Sequence, residues 1–123
     1  MNTSLWVVQS ILALAFGLGG LVKAIQPKEK LEPKFPWVAD FSAGTVRFIG
    51  SVEFLGAVGL ILPAVTGIAT ILTPLAATGL AVIMVLAAGV HVRRKEFPAI
   101  GINIVILLLA AFVAWGRFGT YAL

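Results

Sequence analysis

The chain has 123 residues, 60% of them apolar and 11% charged, with a formal charge of +4 and no cysteine. With a mean hydropathy of +1.08, that composition describes one small membrane domain and excludes a soluble core. Without cysteine, thiol–disulfide chemistry, iron–sulfur clusters and covalently attached haem are excluded within the chain, and its single histidine leaves a bis-His haem to a second subunit.

The first apolar run, about 5–23, has the length of a membrane helix. It does not read as a signal peptide, because no Lys or Arg precedes it and it outlasts the usual apolar region of one. Ala13/Gly17 and Gly20/Ala24 are spaced four apart, as close helix packing requires. Gln9 is a lone amide in this run, able to bond to another helix and assigned no chemistry.

Residues 26–44 form one long loop, in which Pro27, Pro33 and Pro36 prevent a continuous helix. Phe35, Trp37, Val38 and Phe41 read as an interfacial patch resting on the membrane, with Trp37 at headgroup level. The competing reading is a lid over a cavity between the spans, which loop length alone cannot establish.

The second span, about 45–63, ends at Pro63 and carries Arg47 near its start and Glu53 near its middle. A carboxylate at that depth costs roughly 3 kcal/mol on insertion scales, so it should face a partner or a cavity and not lipid. A third span covers about 68–90, with Pro74 in its first two turns, where a missing backbone donor is tolerable. The charged stretch 91–96 follows, then a fourth span, about 97–115, containing Asn103. Trp6, Trp115 and Tyr121 would form an aromatic belt near the termini.

These features predict an all-α, integral membrane four-helix bundle with both termini on one side. The loop side holds most of the Lys and Arg. The positive-inside rule therefore places loops 24–44 and 91–96 in the cytoplasm and the termini outside, in a bacterial inner membrane. The bilayer is the expected partner and nucleic acid is not, since no basic patch is interleaved with aromatics.

Glu53 lies about 9 Å into its helix from Arg47 at 1.5 Å per residue, and Asn103 lies at a similar depth from Phe97. Helical side chains lean towards the N-terminus of their own helix. Glu53 and Asn103 therefore lean towards the loop side, while Lys23 and His91 lean down to meet them. Arg47 leans outward, and its six-residue spacing does not set it over Glu53. One reading makes this layer structural, with Glu53 paired to Lys23 or Arg47 and Asn103 bonding between helices. The other makes Lys23, Arg47, Glu53, His91 and Asn103 the lining of a ligand site. No catalytic group and no metal site is legible in either reading.

Gly20-x-x-Lys23 and Arg47-x-x-Gly50-x-x-Glu53-x-x-Gly56, followed by Gly59-Leu60, resemble the DoxX-like family of small four-helix membrane proteins. The resemblance covers nearly the whole chain, and Lys23, Arg47 and Glu53 match its motif residues. It implies a four-helix membrane bundle whose relatives have been linked to thiosulfate–quinone oxidoreduction, to membrane redox complexes and, more distantly, to assembly of ligand-gated channels. Roles so different in kind transfer fold better than function. Three functions stay open. The first is an accessory component that binds a lipophilic molecule, such as a quinone, or a partner subunit. The second is a proton-coupled multidrug-type exporter, weakened by the position of its glutamate and by nearby cations. The third is an assembly factor for another membrane protein, for which Ala110-x-x-x-Ala114 offers a small-residue groove. A homodimer is expected from the outward small residues.

Overall fold

The computed structural model describes residues 1–123. The four long helices are α1 (Asn2–Ile25), α3 (Ala43–Thr66), α4 (Leu72–Arg93) and α5 (Phe97–Phe118), with the short α2 (Lys28–Leu31) and a 3₁₀ turn (Pro36–Asp40) between the first two. Each long helix has the length and apolar content needed to cross a membrane. Both termini lie at one end of the bundle, as four antiparallel spans require.

The observed limits differ from the sequence reading in ways that local chemistry explains. The second span continues through Pro63 to Thr66 and stops at Gly67, which takes the left-handed conformation at φ 72°. Proline cannot donate to the carbonyl four residues earlier, which leaves the Gly59 oxygen free. Thr73 of α4, fully buried, donates its hydroxyl to that oxygen at 2.9 Å. The third span begins at Leu72, not near 68, because Leu72 N and Thr73 N bond back to Ala69 O and Thr70 O in tight turns. Ile68 and Ile71 are apolar but exposed, so hydropathy alone extends the span across them. The long loop is also more ordered than a Pro-rich linker, since it holds α2 and the 3₁₀ turn.

The helices assemble as two tight pairs, α1 with α3 and α4 with α5. A nine-residue core joins the pairs, including Leu12 and Phe16 of α1, Leu60 of α3, Leu80 of α4 and Val113 of α5. In the half near the termini, small residues bring the pairs together. A Cβ on Gly59 would lie 2.8 Å from that of Ala76, and one on Gly116 would lie 2.6 Å from Leu5. The outward faces carry exposed Leu, Ile, Val and Phe, as lipid contact demands. Ala110, read from the sequence as part of an outward groove, is instead fully buried in the core.

Candidate ligand-binding site

Near the loop end of α1 and α3, Gly20 and Gly50 allow the backbones to touch. A Cβ on Gly20 would lie 2.6 Å from Gly50 O, and a Cβ on Gly50 would lie 2.6 Å from both Gly20 O and Lys23 Cβ. This approach places Lys23 against Glu53. The Lys23 Nζ donates to Oε1 at 3.0 Å and to Oε2 at 3.1 Å. The two side chains are 12% and 5% exposed, so the pair is buried. A buried pair needs further contacts to offset desolvation. Lys23 finds them in the Phe35 and Trp37 rings, whose centroids lie 5.1 and 5.6 Å from Nζ.

These residues border a cavity of about 750 Å³ between the helix pairs, lined mostly by hydrophobic side chains. Lys23, Glu53, His91 and Asn103 all line it, as the depth argument expects. Arg47 does not. It is exposed and forms no ion pair, so of the two candidate partners for Glu53 only Lys23 is used. Asn103 joins α5 to α4: with its amide nitrogen turned to Ala99 O and its oxygen to Ala88 N, each at 3.2 Å, donor meets acceptor on both sides.

The aromatic loop segment packs against the bundle itself, which favours the reading of it as a cover over a cavity. Val38 is fully buried with Leu31 and Val46. Phe35, Pro36, Trp37 and Phe41 form part of the cavity wall. The 3₁₀ turn contributes Pro36 and Trp37 to the cavity wall at the loop end and is tied across to the second helix pair, where Arg94 Nη1 meets Asp40 Oδ2 at 2.7 Å. Arg94 Nε also reaches Glu96 Oε1 at 3.2 Å, and His91 Nδ1 donates to the same oxygen at 2.9 Å. The His91 hydrogen bond, helped by the Arg94 charge, holds the Glu96 carboxyl below the usual glutamate range. The bond to Asp40 holds the Arg94 guanidinium above its ordinary value. Sequence reasoning singled out neither Asp40, Arg94 nor Glu96, because an exposed charge run carries no sign of its partners.

A second polar cluster at the opposite end was also missed. Gln9, fully buried, donates to Leu60 O and accepts from Arg117 Nε, each at 2.7 Å. Arg117 Nη1 bonds Asn2 Oδ1 and Tyr121 O, and the guanidinium lies 5.6 Å from the Trp6 ring centroid. Arg117 therefore meets neutral acceptors and a ring face. It clamps α1 to α5 and is not a free interfacial charge.

The model of the DoxX-like family matches residues 7–113. No curated protein and no solved structure matches the chain.

Proposed function

The chain belongs to the DoxX-like family, and we propose that it is an accessory membrane protein binding a lipophilic small molecule, a quinone among the candidates, in the layer around Glu53. One observation carries this reading: a buried Lys23–Glu53 pair borders an apolar cavity of about 750 Å³. Ligand pockets commonly combine apolar walls with a few placed polar groups, in volumes of about 300–1,000 Å³. The exporter reading is less well supported, because both Glu53 oxygens are already held by Lys23. The burial of Ala110 likewise removes half of the groove on which the assembly-factor reading leaned. Orientation with the charged loops in the cytoplasm follows from the positive-inside rule. Self-association draws support from Gly79, Gly89 and Gly101, whose Cβ positions meet nothing within 4 Å.

The test is native mass spectrometry of the protein released from gentle detergent, comparing wild type with Glu53→Gln. A stoichiometric lipophilic ligand present in the first and lost from the second supports the reading, and the same spectra report subunit number. Ligand-free spectra of both would reduce the Lys23–Glu53 pair to a structural role.

A further inference from the structure

The two helix pairs diverge away from the termini. At the termini end α1 and α5 touch, with Leu5 against Gly116 and Gln9 bonded to Arg117. Towards the loops the same two helices stand apart, and the cavity lies between them, bordered by Gly19 and Lys23 on one side and by Asn103 and Ile106 on the other. Ile102 borders the cavity while 63% exposed, and Ala15 on α1 is exposed as well. At that depth in a four-span bundle, exposure means contact with acyl chains. At the loop end the 3₁₀ turn is fastened by the Asp40–Arg94 pair. The 3₁₀ turn thus shields part of the loop end, while exposed Ala15 and Ile102 mark an edge of the cavity between α1 and α5 that faces lipid.

The charges set into the cavity wall are already matched, and Lys34, which also borders it, is exposed at the loop side, where water screens it. Lys23 is held by Glu53, and Glu96 by His91 and Arg94. An ion placed among them would lack a partner and lose its hydration. A hydrogen-bonding head would not, and His91 Nε2 makes no bond within the chain.

We propose that the ligand is an amphiphile with an uncharged, hydrogen-bonding head and a hydrocarbon tail, and that it enters from the bilayer across that edge between α1 and α5, where its tail remains. This rests on the reading of the cavity as a binding site and adds the ligand's charge, shape and route. Gly19 makes the route testable. It borders the cavity, yet a Cβ there meets nothing within 4 Å, so a side chain can be added at the cavity's edge without a clash at its first atom.

The chain has three tryptophans, and Trp37 borders the cavity. In a Trp6→Phe/Trp115→Phe background Trp37 alone reports. The probe is a monoacylglycerol brominated along its chain, added to vesicles of unbrominated phosphatidylcholine, with the equally brominated fatty acid anion as comparison. The expected result is saturable quenching of Trp37 by the monoacylglycerol. Gly19→Leu and Ala15→Phe, each checked for parental helicity and melting, remove most of it, and the anion quenches much less. Absent or non-saturable quenching, quenching unchanged in both variants, or equal quenching by the anion overturns the proposal. A co-purified ligand that still depends on Glu53 would then leave the binding site standing and remove only the tailed, lateral route.

Discussion

Gly20 and Gly50 meet so closely that a Cβ on either would come within 2.6 Å of the other's carbonyl oxygen. The contact is what allows the Lys23 ammonium to reach both oxygens of Glu53. The glycines and the ion pair are therefore one structural device, in which backbone approach on α1 and α3 sets the side-chain geometry bordering the cavity.

Gly50→Ala should force these helices apart. Overpacking of this kind costs about 1–3 kcal/mol. Unfolding in mixed micelles should show that loss, while Gly79→Ala, whose Cβ meets nothing within 4 Å, should stay within about 0.5 kcal/mol of wild type. Equal stability of both variants would show that the α1–α3 contact is not close.

Removing one member of the Lys23–Glu53 pair leaves a buried charge without a partner, a change that typically costs about 3–5 kcal/mol. Lys23→Met and Glu53→Leu should each be strongly destabilised, and the double variant less so than the sum of the two. Glu53→Gln should be milder than Glu53→Leu, because the amide still accepts from Lys23. A double-mutant cycle without coupling would refute the pairing.

Stability should fall in acid through Glu96. Hydrogen bonding from His91, with the Arg94 charge, lowers the Glu96 pKa in the folded protein below its ordinary 4.5. The unfolded chain then binds this proton at higher pH than the folded chain does. The contribution is thus fully present above the ordinary value and lost as pH falls through the lowered folded value. Melting temperature measured across that window should fall less steeply in Glu96→Gln than in wild type. Identical acid slopes would exclude Glu96 as the source.

Thr73→Val should leave the Gly59 carbonyl buried without a donor, at a cost of about 1–3 kcal/mol. Pro63→Ala restores the backbone donor to that carbonyl, so Thr73→Val should cost much less in that background. The comparison needs only equilibrium unfolding of the four proteins, and an unchanged cost would mean that Pro63 is not what leaves the oxygen free.

Gln9→Leu should destabilise the other end of the bundle by roughly 1.5–3 kcal/mol, because Arg117 loses a charge-assisted bond. The Trp6 fluorescence should shift as well, since that ring lies 5.6 Å from the guanidinium. A spectrum and stability like wild type would place Arg117 outside the clamp.

Hydropathy alone determined that this chain forms four membrane helices, because apolar length is a local property that the bilayer reads directly. Helix direction and side-chain lean were also enough to put Lys23, Glu53, His91 and Asn103 in one layer. Proline and glycine chemistry was less decisive: Pro63 looked like a terminus, yet α3 continues because Thr73 comes from another helix to satisfy the freed carbonyl. Pairing was decided in three dimensions. Lys23 and Arg47 both remained candidates for Glu53 until the Gly20–Gly50 contact fixed which cation lies across from it. The aromatic loop became a roof through Asp40 and Arg94, residues 54 apart in sequence, and Arg117 found Gln9 across 108. Periodicity reports which face of a helix is apolar. It does not report which neighbour that face meets, and the bonds of Lys23 to Glu53 and of Arg94 to Asp40 depend on that neighbour.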